Sequence, residues 1–275
     1  MDRARLNGVE LEYEFHGDGE PVLLIHPGIF ADWFTPLFEQ PSLASRYRLI
    51  HYHRAGCMGS SRLAGPVSLA QHARHARLLL EHLGFVAAHI VGHSSSANVA
   101  LQLALDAPEV AQTLALLEPA FMMVPSAATS RVFVGSAVQR YRDGDRAGAI
   151  DIFLRGVCGP NYRSVLDLVL PGAFKQAVAD ADTFFQQEMP ALQQWSFSRD
   201  DAQRILQPVL AVVGGRSLEL DPIWAERHQL LLDWLPRVEP AIVPDATHLL
   251  EVENPHGVAE ALASFFARHP LAVAT

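Results

Sequence analysis

The chain has 275 residues, of which 49% are hydrophobic and 19% charged, a composition that excludes a largely disordered protein. Its formal net charge is −9 and it has no run rich in lysine or arginine, so nucleic acid and anionic membranes are not expected partners. Its two cysteines, Cys57 and Cys158, match neither a disulfide framework nor a CxxC metal or redox motif. We expect both to be reduced thiols.

The N-terminal segment is charged and alternating, and it lacks the apolar stretch of a signal peptide. No apolar run approaches the ~18 residues that a membrane-spanning helix requires. The sequence therefore predicts a cytoplasmic protein without a membrane partner.

The chain begins with strand patterns and then alternates between strands and helices. Strands over 3–6 and 9–15 flank an Asn7-Gly8 hairpin turn, and an apolar strand over 21–25 follows. Further strands are predicted over 47–52, 88–91, 113–117, 209–213 and 241–243. Further helices are predicted over 68–84, 97–107, 222–235 and 255–268. This alternation is typical of an α/β fold with a parallel sheet covered by helices.

Residues 120–207 interrupt this alternation, because they have helical patterns throughout and no strand pattern. Examples of the predicted helical stretches are 131–142, 145–157, 162–170 and 173–195. An insertion after a strand lies over the edge where open parallel sheets bind ligands. We therefore predict a core of residues 1–119 and 208–275 and a helical cap of residues 120–207.

Six large apolar side chains of the predicted cap are candidates to line a pocket, namely Phe121, Met122, Met123, Phe184, Phe185 and Trp195. Packing inside a core is the more common role of aromatic residues at helical spacing, and we favour it for most of them.

Residues 90–97 run from a strand into a helix through the sequence GHSSS, which is nearly the G-x-S-x-G motif of a nucleophile elbow. The strained turn needs very small residues on both sides of the serine, so Gly92 fits and Ser96 is a small departure. Ser94 would then lie at a helix N-terminus, where free N–H groups favour negative charge. The alternative is that the three serines only cap a helix.

A serine nucleophile needs a base, and His248 is the best candidate. It lies on a loop between a strand and a helix capped by Asn254-Pro255, at the same sheet edge as Ser94. Surface or packing roles suit three other histidines better, His228, His256 and His269. His93, next to the serine, is expected to form a wall of the elbow.

An oxyanion hole needs backbone N–H groups directed at the reacting centre. One should come from Ser95, the residue after the serine. The second should come from the loop after the strand over 21–25, where Pro27 has no N–H. The donor is therefore Gly28 or Ile29, and Gly28 allows the closer backbone approach. A simple Pro-Gly turn explains this loop equally well.

In their order along the chain, these features resemble the α/β-hydrolase superfamily. They are a strand ending in His26-Pro27-Gly28, the segment 54–60, the elbow at Ser94, a helical insertion, and His248 before Glu253-Asn254-Pro255. The resemblance covers nearly the whole chain and implies an eight-stranded, mostly parallel sheet with an active site under the cap. The turn after the fourth strand departs from the usual family pattern at His53, Ala55 and Met58. We expect those changes to affect local packing or the pocket wall.

The carboxylate that should orient the histidine is not at the position most of this superfamily uses. That position, G-x-x-D after the seventh strand, holds Ser217 here. Glu219 and Asp221 lie close by, although Asp221 before a proline has the form of a helix N-cap. Glu118 ends the strand beside that of the nucleophile, where zearalenone lactone hydrolases and some haloalkane dehalogenases place their acid. The alternative is that Glu118 only anchors the cap by hydrogen bonds.

These residues predict a serine hydrolase in which Ser94 attacks an ester or lactone carbonyl, His248 transfers the proton and Glu118 orients the imidazole. Ser94 excludes an aspartate-nucleophile dehalogenase or epoxide hydrolase. Amide, thioester and carbon–carbon cleavage and perhydrolysis remain open, because they use the same triad. The competing interpretation is a ligand-binding protein of the same fold with little turnover.

The apolar cap favours a hydrophobic small molecule as substrate. No cofactor is expected, and no metal, because no group of His, Cys and Asp residues has metal-ligand spacing in the sequence. The sequence does not decide whether the chain assembles into a homo-oligomer.

Overall fold

Eight strands form one sheet within residues 1–271, the part of the chain that this computed structural model describes. They are β1 (Asp2–Leu6), β2 (Val9–His16), β3 (Glu20–Ile25), β4 (Tyr47–Tyr52), β5 (Ala88–His93), β6 (Ala111–Leu117), β7 (Val209–Gly214) and β8 (Val238–Val243). Their order across the sheet is β1-β2-β4-β3-β5-β6-β7-β8. Strand β2 pairs antiparallel with β1 and β4, and the other pairs are parallel. The predicted α/β fold class with an eight-stranded, mostly parallel sheet is confirmed.

Helices cover the sheet and fill the segment between β6 and β7. In chain order they are α1 (Pro41–Ala44), α2 (Leu69–His82), α3 (Ser95–Asp106), α4 (Ala127–Arg142), α5 (Arg146–Cys158), α6 (Tyr162–Val169), α7 (Ala173–Ala179), α8 (Ala181–Thr183), α9 (Met189–Gln194), α10 (Arg199–Gln203), α11 (Ser217–Leu220), α12 (Pro222–Trp234), α13 (Leu250–Glu253) and α14 (Pro255–Ala267). A π-helix, Phe184–Glu188, precedes α9, and short 3-10 helices span Thr35–Leu37 and Pro108–Val110. No helix of residues 1–271 is long and apolar enough to cross a lipid bilayer.

The central strands are buried on both faces, and their side chains alternate between two cores. Val22 and Leu24 of β3 pack into the core that contains Phe265 of α14. Leu23 and Ile25 pack into the core shared with α2 and α3. Every residue of β5 and β7 is buried, which explains why β7 reads as a continuous apolar run and why apolar residues fill most of β5. The functional loops therefore project from the carboxyl ends of a rigid sheet.

The helical stretch predicted over 173–195 is not one continuous helix. It is divided into α7, α8, the π-helix and α9. Pro190 lies in the first turn of α9 and has no N–H to continue a regular ladder of backbone bonds from the preceding residues. Helix α10 lies outside the four stretches given as examples but within the segment predicted to be helical throughout, and it begins with a capping box at Ser198. The elements between β6 and β7 are all helical, while the division into a core and a cap stays a prediction.

Candidate active site

Ser94 occupies a strained turn between β5 and α3. Its backbone has φ 55° and ψ −124°, a conformation that non-glycine residues rarely adopt. A Cβ on Gly92 would collide with the backbone carbonyl of Ser96, so only glycine fits two residues before the serine. The Ser94 N–H donates to the Leu117 carbonyl at 2.8 Å. This turn presents Ser94 at the carboxyl edge of the sheet, as a nucleophile elbow does.

Ser96 stands where the family motif has glycine, and its hydroxyl makes a specific contact. The Ser96 side chain is fully buried and donates to the His26 carbonyl at 2.5 Å. This bond joins the first turn of α3 to the loop that follows β3. The departure from the motif thus ties the elbow to the loop that carries Gly28.

A buried ion pair supports the same loop. The Arg54 guanidinium donates to the carbonyls of His26 and Pro27 at 3.2 and 3.3 Å, and to Glu188 Oε1 at 2.6 Å. Arg54 and Glu188 are 2% and 4% exposed. A Cβ on Gly28 would collide with the Glu188 carboxylate. The Arg54–Glu188 pair was not predicted, because its members are far apart in the chain.

The three candidate oxyanion-hole donors are free. Across residues 1–271, the N–H groups of Gly28, Ile29 and Ser95 have no hydrogen-bond acceptor. All three residues line the cavity that also contains Ser94. Unpaired N–H groups that line a cavity beside a nucleophile are suited to bind a developing oxyanion.

Glu118 and His248 are brought together although they are far apart in the sequence. Glu118 follows β6, is 3% exposed, and its Oε2 lies 2.6 Å from His248 Nδ1. Its other oxygen, Oε1, accepts the Gly214 N–H at 2.8 Å. Burial raises the pKa of the Glu118 carboxyl, but the hydrogen bond and charge interaction with His248, together with the Gly214 N–H and the Ser217 hydroxyl, outweigh it and leave the pKa below its ordinary value. The carboxylate is therefore ionised at neutral pH.

The alternative acids do not reach the histidine. Asp221 Oδ1 accepts the Ile223 N–H at 2.8 Å and caps α12, as its place before a proline predicts. Glu219 is exposed on α11. In the described structure neither carboxylate makes a hydrogen bond or an ion pair with His248. Ser217, at the usual acid position, is fully buried.

His248 lies between β8 and α13, and two aromatic rings hold it. Its imidazole packs on Trp224 with ring centroids 4.5 Å apart and meets His93 edge-on at 4.7 Å. Burial lowers the pKa of His248 by more than the bond to Glu118 raises it, so the pKa lies below its ordinary value. The imidazole is neutral at pH 7, as a general base must be. No hydrogen bond joins Ser94 Oγ to His248 within the described residues, and such contacts often tighten only when substrate binds.

His93 belongs to a second buried network beside the first. Its Nδ1 lies 2.9 Å from both carboxylate oxygens of Glu251, and Trp33 Nε1 donates to Glu251 Oε2 at 2.6 Å. His93 Nε2 lies 3.5 Å from His248 Nδ1. The interpretation of His93 as a wall residue agrees with its place in the cavity lining. Glu251 was missed, because its position in the four-residue helix α13 gives no sign of its distant partners.

Two clusters bring potential metal ligands within 4.8 Å of one another, Asp32 with His51 and His53, and His93 with Glu118 and His248. Sequence spacing shows neither cluster, because their members come from different elements. Hydrogen bonds engage the ligand atoms of the first cluster: His53 Nε2 lies 2.9 Å from Asp32 Oδ1, and His51 Nε2 lies 2.9 Å from the Ala31 carbonyl. In the second cluster, His248 Nδ1 lies 2.6 Å from Glu118 Oε2 and 3.5 Å from His93 Nε2. Protein hydrogen bonds thus account for both clusters.

A cavity of about 130 Å³, with room for roughly ten water molecules, lies over Ser94 and His248. Its wall is largely apolar and comes mostly from helices of the segment between β6 and β7 and from α12. Of the six apolar candidates, Met122 and Phe184 line the cavity. Phe121, Phe185 and Trp195 instead pack in the hydrophobic cores, which is the role favoured from the sequence, and Met123 is 44% exposed. The α12 residues Trp224 and Arg227 line the cavity and were missed.

Both cysteines are buried and unpaired. Burial raises the pKa of the Cys57 thiol to about 12 and that of the Cys158 thiol well above its ordinary value. Cys158 lines the cavity as a neutral thiol, which is a weak nucleophile.

Residues 21–151 match the model of a family described as having the α/β hydrolase fold. A relative in Azorhizobium caulinodans, named as a carbamate hydrolase (RutD), is 36% identical over 118 residues. That alignment covers 42% of this chain and 44% of the relative, so the chain matches less than half of that protein's length.

Two solved structures share the architecture over almost the whole chain. Est816, an N-acyl homoserine lactone degrading enzyme, is 24% identical with a TM-score of 0.73, covering 96% of this chain and 100% of its own. The enol-lactonase from Burkholderia xenovorans LB400 is 19% identical with a TM-score of 0.82, covering 97% and 100%. At these identities the two structures establish a common fold.

Proposed function

We propose that this chain, which has the α/β-hydrolase fold, is an enzyme that cleaves a carboxylic ester or lactone of a hydrophobic small molecule through an acyl-enzyme on Ser94. The observation that carries this proposal is the arrangement at the cavity floor. Ser94 on its strained turn shares the cavity with His248, and the Nδ1 of that histidine lies 2.6 Å from Glu118. This arrangement supports a nucleophile, a base and an orienting acid.

Acylation would begin when Ser94 Oγ attacks the carbonyl carbon and His248 Nε2 accepts the hydroxyl proton. The carbonyl oxygen becomes an oxyanion that the N–H groups of Ser95 and of Gly28 or Ile29 stabilise. The imidazolium is stabilised by Glu118, which holds Nδ1–H and so keeps Nε2 as the acceptor in the resting state. The bond to the leaving alkoxide then breaks, and His248 returns the proton to it.

Deacylation would repeat these steps with water as the nucleophile. His248 Nε2 accepts a proton from the water, the hydroxide attacks the acyl carbon, and Ser94 Oγ leaves with the returned proton. In a lactone, the alcohol and the acyl group belong to one carbon skeleton throughout, so deacylation releases a single hydroxy acid.

Fixed hydrogen bonds make this site rigid before substrate binds. The loop that carries Gly28 is held from one side by Ser96 and from the other by the Arg54–Glu188 pair. Donors that are already in place do not have to reorganise as charge develops, which is the main source of electrostatic stabilisation in such reactions.

The cavity wall supports a hydrophobic substrate and a cap function for residues 120–207. Phe133, Phe153 and Phe184 of this segment face the same cavity as Ser94. We infer that residues 1–119 and 208–275 carry the reacting groups while the helical segment selects the substrate. The lactone-degrading and lactonase names of the two structural relatives agree with ester or lactone chemistry.

Burst kinetics with p-nitrophenyl butyrate test this proposal. The protein should release one equivalent of nitrophenol per site rapidly and then turn over steadily, because an acyl-enzyme accumulates. Ser94→Ala should remove both phases, while Ser136→Ala, an exposed serine of α4, should retain them. A protein that binds the ester without nitrophenol release would instead support the ligand-binding interpretation.

A further inference from the structure

Arg227 is a buried cation without a carboxylate partner. It lies on α12, is 7% exposed and lines the cavity. Within residues 1–271 no carboxylate comes within ion-pair distance of its guanidinium. Its Nε donates to the Phe121 carbonyl at 2.9 Å, and its Nη2 lies 3.5 Å from the sulfur of Met122. A guanidinium has five N–H donors, so three are left for a ligand.

The neighbouring carboxylates are already engaged elsewhere. Glu118 bonds His248 and the Gly214 N–H, and Asp221 caps α12. Glu226 accepts the backbone N–H and the hydroxyl of Ser126 at 2.8 and 2.7 Å. Burial lowers the pKa of Arg227 to about 10, so it is still charged at neutral pH.

Burying a charge without a partner costs free energy, and a ligand of opposite charge that pairs with it offsets that cost. The rest of the wall is largely apolar, so Arg227 is the strongest polar feature that a substrate would meet away from the reacting groups. An anion bound there would also be shielded from water, which strengthens charge-assisted hydrogen bonds.

Arg227 lies close to the reacting groups. The Trp224 ring contacts the His248 imidazole at 4.5 Å, and Arg227 Cζ lies 5.2 Å from the same ring. Trp224 is therefore a common neighbour of the proposed base and the buried cation. One small molecule can place a carbonyl at Ser94 and an anionic group at Arg227.

We propose that Arg227 binds a free carboxylate of the substrate, so the natural substrate is an ester or lactone with a carboxylate a few bonds from the scissile carbonyl. This inference rests on the proposed serine hydrolase function. The competing explanation is that Arg227 only anchors the backbone at Phe121. The two explanations differ in whether Arg227 distinguishes an acid from its neutral ester.

A matched pair of substrates separates these explanations, namely the mono-p-nitrophenyl ester of adipic acid and the same compound with its free carboxylate methylated. The ratio of their kcat/KM values measures the preference for the anion and is insensitive to general damage. Arg227→Gln should lower this ratio by about 10- to 100-fold, because that is the loss of affinity expected when one charge-assisted hydrogen bond is removed. Arg227→Lys should retain part of the preference. Arg204→Gln, which changes the exposed arginine at the C-cap of α10, should leave the ratio unchanged.

An equal ratio in wild type, Arg227→Gln and Arg204→Gln would overturn the inference. A failure of the proposed function is recognised separately, because wild-type protein would then hydrolyse neither ester. In that case the binding of monomethyl adipate, measured by calorimetry, decides whether Arg227 binds a carboxylate. A carboxylate site is supported if the wild-type protein and Arg204→Gln bind the ligand and Arg227→Gln does not. It is refuted if the wild-type protein does not bind, or if Arg227→Gln binds as well as wild type.

Discussion

Replacing Glu118 by glutamine changes one oxygen of a buried carboxylate into an amide nitrogen and removes a charge next to His248. The orientation of the new amide is set by Gly214, whose N–H donates to Glu118 Oε1 at 2.8 Å and needs an acceptor there. The amide oxygen therefore stays on the Gly214 side, and the NH2 group faces His248 Nδ1. This geometry forces the proton of the neutral imidazole onto Nε2, the nitrogen that must accept the serine proton.

The expected cost follows from this wrong tautomer together with the loss of charge that stabilises the imidazolium. We expect Glu118→Gln to lower kcat by about 10²- to 10⁴-fold, which corresponds to roughly 3–5 kcal/mol of transition-state stabilisation. Glu219→Gln and Asp221→Asn should each retain most of the activity. Asp221→Asn should cost at most about 1 kcal/mol of stability, because asparagine also caps helices.

Steady-state hydrolysis of p-nitrophenyl butyrate, with circular dichroism to verify folding, measures all three variants. The account of the acid is refuted if Glu118→Gln works normally while Glu219→Gln or Asp221→Asn is nearly inactive. That result would place the functional acid after β7, as in most of the superfamily.

Three further outcomes are expected. The kcat/KM value should rise with pH and reach half its maximum at a pH below ~6.5, the ordinary pKa of free histidine, because burial lowers the pKa of His248 and only the neutral ring accepts a proton. A flat profile from pH 5 to 8, measured where chemistry is rate-limiting, would show that His248 is not the general base. Gly92→Ala should lower Tm by about 5 °C or more, since its Cβ meets the Ser96 carbonyl, and an unchanged Tm by calorimetry would contradict the close approach. Dialysis against EDTA should leave ester hydrolysis intact, and loss of activity restored by a divalent metal would show that one of the two His clusters holds an ion.

The sheet was predictable because its strands carry strong local signals. Buried strands such as β5 and β7 are nearly continuous apolar runs, and Asn7-Gly8 marks the first hairpin. The order of motifs along the chain then indicated which loops share the sheet edge. Ser94 and His248 could be selected this way, since each follows a strand at that edge.

Contacts between distant residues were harder to predict. Glu118 was proposed from its strand position, but only the structure gives its 2.6 Å contact with His248. The isolation of Arg227 depends on where every nearby carboxylate points, which a sequence does not encode locally. The Arg54–Glu188 pair joins the loop after β4 to a π-helix between β6 and β7 for the same reason. Such features follow from the three-dimensional packing of several elements.

Labelling with a fluorophosphonate probe, followed by peptide mass spectrometry, tests most directly whether Ser94 is the nucleophile. The phosphonate should attach once, at Ser94, with loss of ester hydrolysis in proportion to labelling, and Ser94→Ala should take up no probe. Attachment at Ser95 or Ser96, or unlabelled protein that hydrolyses esters at full rate in excess probe, would contradict the assignment of Ser94 as the group that forms the acyl-enzyme.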